Sequence, residues 1–424
     1  MVKMNRHMRR RGGVLGAGSQ IFLGLIICVA LPFALYVVTS PISFQDGVAR
    51  PTALLAAVSV IFGFWLNRSV SALPGTSESE GIVPSYLMSF GLVLVIVLMA
   101  RIDYSRVILS SSFVLSIAWF YLVYVVTQRR AVLHLGIVDG GRVEPLFDLR
   151  NVTAFRLSPD DRPLDLDAVS ADFRFPHSAE WEARLADYVL TGIPVYHSKT
   201  LLESLTGRCE VEHLSENTFG TLGPLPPLQK AKRAIDWFLA LIAIILLAPL
   251  LAVVALLIRA DSPGPALFRQ DRVGYRGRIF QVYKFRTMRC DTGLRREGRA
   301  QFITMENDPR ITRLGKILRK TRVDELPQIW NVLRGEMSWI GPRPEAAALS
   351  DWYTREIPFY RYRHVVYPGI TGWAQVSQGH VAEVNDVKQK LEYDFFYIRN
   401  FSVWLDLLII AKTLRTVMTG FGHR

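Results

Sequence analysis

The chain has 424 residues, half of them hydrophobic, with 50 Lys and Arg against 37 Asp and Glu, giving a formal net charge of +13. That apolar share excludes an ordinary soluble protein, because the apolar residues concentrate in the first third, in one run near the middle and in a short run at the end. Three widely separated cysteines, Cys28, Cys209 and Cys290, exclude a disulfide framework or a cysteine zinc site. The positive balance calls for an anionic partner: anionic lipid, a phosphate-bearing substrate or nucleic acid.

Lys3, Arg6, Arg9, Arg10 and Arg11 precede a first apolar run over residues 21–38. The run is long and lacks a small-residue cleavage site, so it reads as a retained span and not a signal peptide. Three further runs cover 53–66, 82–100 and 107–126; the run at 53–66 needs its flanks to cross a ~30 Å hydrocarbon core. Arg9–Arg11 before this block and Arg129–Arg130 after it favour the cytoplasm for both ends. Residues 1–130 are therefore expected to form a four-helix transmembrane domain.

Residues 131–222 change character. Strands are expected at 131–138, 152–157, 169–175 and 193–196, with helices at 180–190 and 199–205. This alternation predicts a small α/β domain, Rossmann-like but truncated. The cluster from Gly12 to Gly18 follows arginines, not a strand. The one from Gly136 to Gly141 follows a strand but lacks the spacing and the helix of a dinucleotide loop. A structural or regulatory role fits the small domain better than nucleotide binding.

Residues 223–229, with the Gly223-Pro-Leu-Pro-Pro227 stretch, read as a linker, and 230–424 as one further domain. It opens on an apolar helix over 230–259 containing Pro249. Proline removes a backbone donor and clashes with the preceding turn, so a kink or break is expected, in either a kinked span or a re-entrant helix. Strands follow at 266–269 and 279–285, and helices at 311–320 and 325–333. A last apolar helix at 403–418 is either interfacial or packed on a core.

The chemistry concentrates here. Arg269, Arg272, Arg276, Arg278, Lys284 and Arg286 bracket the expected hairpin, and Arg310, Arg313, Lys316, Arg319, Lys320 and Arg322 follow. Such density suits a diphosphate and a lipid phosphate, or else a solvated face. Asp324-Glu325-Leu-Pro327 stands directly after the basic helix. From position alone Asp324 reads as a helix cap. Beside arginines and a metal-binding Glu325 it also reads as the nucleophile of a phosphoryl transfer. Arg343, held between two prolines, is a candidate phosphate contact.

Together these segments resemble the bacterial sugar transferases, the polyprenyl-phosphate hexose-1-phosphate transferases of monotopic type. The matching stretches are Lys284-Phe-Arg-Thr-Met288, Asn307-Asp-Pro-Arg-Ile-Thr312, Leu318-Arg-Lys320, Asp324-Glu-Leu-Pro-Gln328, Asn331-Val-Leu-Arg-Gly-Glu-Met337, Gly341-Pro-Arg-Pro-Glu345 and Pro368-Gly-Ile-Thr-Gly-Trp-Ala-Gln-Val376. The four spans and the α/β domain resemble the long members of that family. The resemblance implies an α+β membrane protein whose catalytic domain carries a re-entrant helix broken at Pro249 and amphipathic interfacial helices. It implies a covalent route in which Asp324 attacks a UDP-sugar and releases UMP, and undecaprenyl phosphate then takes the phosphosugar, to initiate exopolysaccharide or capsule synthesis. Glu325 would help bind Mg²⁺, Lys284, Arg286, Arg319 and Arg343 would hold substrate, and Asp308 and Asp394 would support them. It places the enzyme in the bacterial inner membrane, with its catalytic domain on the cytoplasmic face, and the long members imply a homodimer. Gln378-Gly379-His380 departs from relatives that carry a basic residue after the glycine, a difference that bears on substrate preference. The rival reading is a membrane assembly or regulatory protein with a degenerate transferase domain. A nucleic-acid partner is not expected, since no recognition helix or aromatic stacking array is visible.

Overall fold

The computed structural model describes residues 16–39, 47–70, 78–128, 133–149, 152–160, 166–209, 223–289, 308–378 and 384–419. The basic N-terminus from Lys3 to Arg11, Gly12, Gly13, Arg129, Arg130, Cys290, Asn307, Gly379 and His380 lie outside them. The chain forms two compact units, Met1–Gly207 and Arg208–Arg424.

The first unit opens with four long apolar helices: α1 (Ala17–Thr39), α2 (Ala49–Val70), α3 (Glu78–Met99) and α4 (Arg106–Gln128). The short run at 53–66 gains its flanks, since α2 has 22 residues and so reaches ~33 Å at 1.5 Å per residue. Helices in lipid associate through close packing and local hydrogen bonds, not through the hydrophobic effect. Both devices are present. The Tyr86 ring lies over Gly63, where any Cβ would collide with it, and stacks on Phe120 at 5.0 Å. Ser89 Oγ donates to the Ser59 carbonyl at 2.5 Å. Apolar side chains such as Leu54, Val95 and Val114 point away from the bundle and are exposed.

The α/β part follows the expected elements closely: β1 (Leu133–Val138), β2 (Val152–Leu157), β3 (Ala168–Ala171), α5 (Ala179–Leu190), β4 (Val195–His197) and α6 (Ser198–Thr206). The sheet has order β2-β1-β3-β4 and every pair is parallel. β1 and β3 are buried almost throughout, as strands covered on both faces require. The third strand is shorter than expected and ends at Ala171, because the next residue, Asp172, turns its carboxylate onto backbone donors. Its Oδ2 accepts from Arg142 N and its Oδ1 from Arg174 N, both at 3.0 Å. Gly140 and Gly141 have φ of +124° and +67°, and a Cβ at Gly141 would overlap Asp172. The glycines thus serve the close approach of two loops. The turn leads into a short 3-10 segment, Glu144–Leu146, and not into a phosphate-binding helix.

The second unit begins with α7 (Pro226–Asp261), one continuous helix of 36 residues with Pro249 inside it. The expected break in secondary structure at Pro249 is absent. The turns on its two sides pack on two separate apolar clusters of this unit, which hold the helix despite the missing donor. Upstream of the proline, Ala240, Ala243, Ile244 and Leu247 pack with Val282, Ile329, Val332 and Met337. Downstream, Leu251, Val254, Ala255 and Ile258 pack with Ala266, Phe285 and Leu318. The opposite face is apolar and exposed, with Phe238, Ile245, Leu246, Leu256 and Leu257 outermost.

An antiparallel hairpin follows, β5 (Leu267–Val273) with β6 (Ile279–Phe285), longer in its first strand than expected. Then come α8 (Arg313–Lys320), a 3-10 turn over Val323–Gln328, α9 (Ile329–Leu333), β7 (Ser338–Ile340) and α10 (Ala347–Glu356). β8 (Gly369–Thr371) pairs parallel to β7, and α11 (Trp373–Ser377), α12 (Val384–Arg399) and α13 (Val403–Thr419) close the unit. On α13, Leu405, Leu408 and Ile409 are buried while Val403 and Ile410 are exposed, so one face packs on the core.

Candidate active site

Two local devices deliver the Asp324–Glu325 pair. The first seats α8. Its N-cap, Thr312, accepts from Gly315 N at 2.9 Å, and Gly315 lies so close to the Thr287 carbonyl that a Cβ would overlap it. Thr312 N donates to that same carbonyl at 3.1 Å, which ties α8 to the segment leaving β6. The second device reverses the chain. Arg322 takes left-handed backbone angles, with φ of +58°. That is a costly conformation for a side chain with a Cβ, and one that recurs at functional sites. The chain then enters the 3-10 turn that carries Asp324 and Glu325. A helix from residue 325 was expected; the α-helix begins only at Ile329, after Pro327.

Asp324 is 9% and Glu325 7% exposed. Glu325 is the hub of the cations. Arg343 Nη2 donates to its Oε1 at 2.6 Å and Lys284 Nζ at 3.1 Å, and Arg322 Nη1 lies 3.8 Å from the same oxygen. Burial alone would raise the pKa of Glu325. The charges of Arg343 and Lys284 and the Arg343 hydrogen bond outweigh it and hold the carboxyl well below its usual range. Burial pushes Lys284 down to about 8 in spite of Glu325. Asp324 behaves differently. Burial and the neighbouring Glu325 charge raise its carboxyl above the usual range, against the pull of Lys284, Arg343 and Arg319. Its Oδ1 is buried and accepts no hydrogen bond. The capping role read from position is therefore not what this atom does.

The other expected residues divide. Arg319 donates from Nε to Thr287 Oγ1 at 2.9 Å and feels the charges of both Asp324 and Asp308. Asp308 is buried and grips Arg310, which donates to it from its backbone N at 3.1 Å, from Nε at 2.9 Å and from Nη2 at 2.7 Å. Asp394 pairs with Arg363 at 2.7 Å. Arg286 departs furthest from expectation. Its guanidinium is sunk into the end of α7, donating to the carbonyls of Pro263 at 2.5 Å and Ser262 at 2.6 Å. It joins the end of the membrane helix to β6.

Sequence reading missed Thr287, Arg363 and the role of Arg272. Arg272 donates to the Pro344 carbonyl and from Nη2 to Gln270 Oε1 at 2.8 Å. A lone threonine and single arginines carry no signal, since the contacts that tie them to Arg319, Pro344 and Arg343 span 20 to 72 residues of chain.

Among the described residues no group of three or more His, Cys, Asp or Glu could hold a metal on its own. Mg²⁺ commonly takes one or two carboxylates and completes its shell with substrate phosphates and water. The named ion pairs of Glu325 all fall on Oε1, which leaves Oε2 as an oxygen donor of that kind. Glu325 fits a Mg²⁺ shared with a diphosphate.

The family model described as bacterial sugar transferase matches residues 228–420, which include every residue of this site. A UDP-N-acetylgalactosamine-undecaprenyl-phosphate N-acetylgalactosaminephosphotransferase of Aeromonas hydrophila is 42% identical over 429 residues, covering 100% of both chains. UDP-glucose:undecaprenyl-phosphate glucose-1-phosphate transferases match over less than half of this chain. That of Caulobacter vibrioides is 44% identical over 46% of this chain and 74% of its own. That of Escherichia coli is 42% identical over 46% of this chain and 40% of its own. With a likeness that runs from end to end in one relative and a family model that spans the whole site, the chain belongs to the bacterial sugar transferase family and is a membrane-associated phosphoglycosyl transferase.

Proposed function

We propose that this enzyme moves a sugar-1-phosphate from a UDP-sugar to undecaprenyl phosphate through a phosphosugar held on Asp324, as the first committed step of exopolysaccharide or capsule assembly. The observation that carries the reading is the pair of unlike carboxylates in one cationic pocket. Glu325 is saturated with positive charge on one oxygen, while Asp324 keeps a buried oxygen with no hydrogen bond. A nucleophile must keep its attacking lone pair uncommitted, and a transferring phosphoryl group needs fixed positive charge around it.

In the first step an Asp324 oxygen attacks the β-phosphorus. The new O–P bond forms as the bond to the bridging oxygen breaks, and UMP leaves with that oxygen. In the second step a phosphate oxygen of undecaprenyl phosphate attacks the same phosphorus and the aspartyl bond breaks. This frees the carboxylate and gives undecaprenyl-diphosphate-sugar. Arg343, Lys284 and Arg319 hold the phosphates, and Glu325 keeps Arg343 and Lys284 in place. Glu325 would hold Mg²⁺, which would supply further neutralisation of the diphosphate.

Packing supports a re-entrant reading of α7. A helix that crossed the membrane would carry its two arms to opposite faces, whereas both arms here pack on one domain and leave an apolar face outward. Basic flanks of the N-terminal spans favour the cytoplasmic face of the inner membrane. The relative that matches over the whole chain is named for N-acetylgalactosamine and those that match over less than half of it for glucose, so UDP-N-acetylgalactosamine is the first donor to test. The test is UMP release by the purified protein in detergent with Mg²⁺ and undecaprenyl phosphate across a panel of UDP-sugars, beside Asp324→Asn. Release that depends on one sugar, Mg²⁺ and Asp324 is expected. Full activity in Asp324→Asn would overturn the mechanism.

A further inference from the structure

Arg343 reaches Glu325 from a short loop, Gly341–Glu345, that contains two prolines. Prolines stiffen the loop but remove two N–H donors, so its position depends on what holds its carbonyls. Each one from 342 to 345 is taken by an outside donor. Gly369 N donates to Pro342 O at 3.0 Å and Val273 N to Glu345 O at 3.1 Å. The middle two are held by side chains: Arg272 donates to Pro344 O, and Arg363 Nη2 to Arg343 O at 2.9 Å.

Arg363 is 3% exposed. A buried guanidinium is costly unless paired, and this one is paired on several sides. Nη1 donates to Tyr360 Oη at 2.7 Å and lies 4.0 Å from Glu345 Oε1; Nη2 lies 2.7 Å from Asp394 Oδ2. Lys390, on the same face of α12 as Asp394, pairs with Glu345. Arg363 therefore bridges α12 to the backbone of the residue whose own side chain meets Glu325. The planar fork of an arginine can serve an aspartate and a carbonyl at once in fixed geometry, which a lysine cannot.

We propose that Arg363 is a positioning residue: anchored on Asp394, it fixes the Arg343 backbone so that the Arg343 guanidinium is already set on Glu325 when the diphosphate arrives. The inference rests on the reading of Arg343 as a phosphate contact. Preorganised charge acts mainly in the transition state, so its loss lowers kcat more than it raises KM.

The test is Arg363→Lys in the full-length enzyme, assayed by UMP release and compared with Arg343→Ala and with the double variant. Arg363→Lys is expected to lower kcat ~10-fold or more with KM within about twofold. Its effect is expected to vanish in the Arg343→Ala background. A pH profile adds a readout that a purely structural role leaves still. The carboxylate pair is faced by Lys284, Arg319, Arg322 and Arg343. Once Arg343 is loosened, the acid limb is expected to move to higher pH, whereas a mere loss of folded protein lowers the whole curve without moving it. If Arg363→Lys does not fold, Asp394→Asn reads the same profile with the side-chain shape kept.

Wild-type kcat and profile in Arg363→Lys, with Arg343→Ala impaired, would overturn this inference alone. A loss in Arg363→Lys that adds in full to that of Arg343→Ala would overturn it too. Wild-type turnover in Arg343→Ala would remove the phosphate-contact reading and this inference with it.

Discussion

Arg343 Nη2 and Glu325 Oε1 lie 2.6 Å apart, joining a proline-flanked loop to the residue next to Asp324. The contact sorts the two adjacent carboxylates into different roles, one saturated with charge and one with an uncommitted oxygen.

On the proposed covalent route, Asp324→Asn removes the attacking carboxylate and keeps the shape. UMP release is expected to fall at least ~10³-fold, roughly 4 kcal/mol of barrier. Stability is expected to hold or rise slightly, because burial and Glu325 already raise this carboxyl in the folded state, so its charge costs folding energy at neutral pH. Thermal melts beside the rate assay check both parts.

Glu325→Gln leaves Lys284 and Arg343 buried without their counter-charge. Breaking a buried pair by removing one partner costs about 3–5 kcal/mol. A denaturation midpoint well below wild type is expected, together with a further fall in the pKa of Lys284. An unchanged midpoint would mean that water already screens the pair.

Lys284 sets the alkaline behaviour. Its pKa is about 8 in the fold, below the ordinary lysine value. Below pH 8 the lysine is charged both folded and unfolded, and the burial penalty is fully present. As pH rises from 8 toward the unfolded value, the unfolded chain holds more protons, so this group's contribution to stability rises. Activity is expected to move the other way, falling above pH 8 as the phosphate-facing cation is lost. Rate and stability measured over the same pH range test the opposite slopes, and Lys284→Met should abolish the basic limb of both.

Arg286 and Arg343 offer a contrast. Arg286→Met orphans carbonyls at the end of α7 and is expected to cost about 3 kcal/mol of stability. Its kcat/KM per folded molecule should stay near wild type. Arg343→Ala is expected to lower kcat ~10²-fold with a smaller stability loss. Unfolding curves and active-site-normalised rates separate the two. A KM effect in Arg286→Met would return that residue to the substrate.

The sequence by itself determined the elements and the identity of the chemistry. Apolar runs marked the four N-terminal helices because lipid-facing helices must be apolar over their full length. The alternation over 131–222 marked β1 to β4, since strands and helices differ in period. Asp324, Glu325, Lys284, Arg319 and Arg343 stood out through motifs whose order survives in one dimension. Tertiary structure alone decided what each group touches. Pro249 was expected to kink or break its helix; the helix runs on from Pro226 to Asp261, with packing on both sides of the proline. Arg286 lies just beyond the end of β6 and Lys284 on it, two residues apart. One meets helix carbonyls and the other Glu325, because the chain bends where β6 ends at Phe285. Arg363 is indistinguishable in sequence from the neighbouring Arg361. Its burial against Asp394, 31 residues further along, is what singles it out. Local patterns are carried by neighbours along the chain, whereas charge pairing is carried by neighbours in space, and only the fold makes those the same.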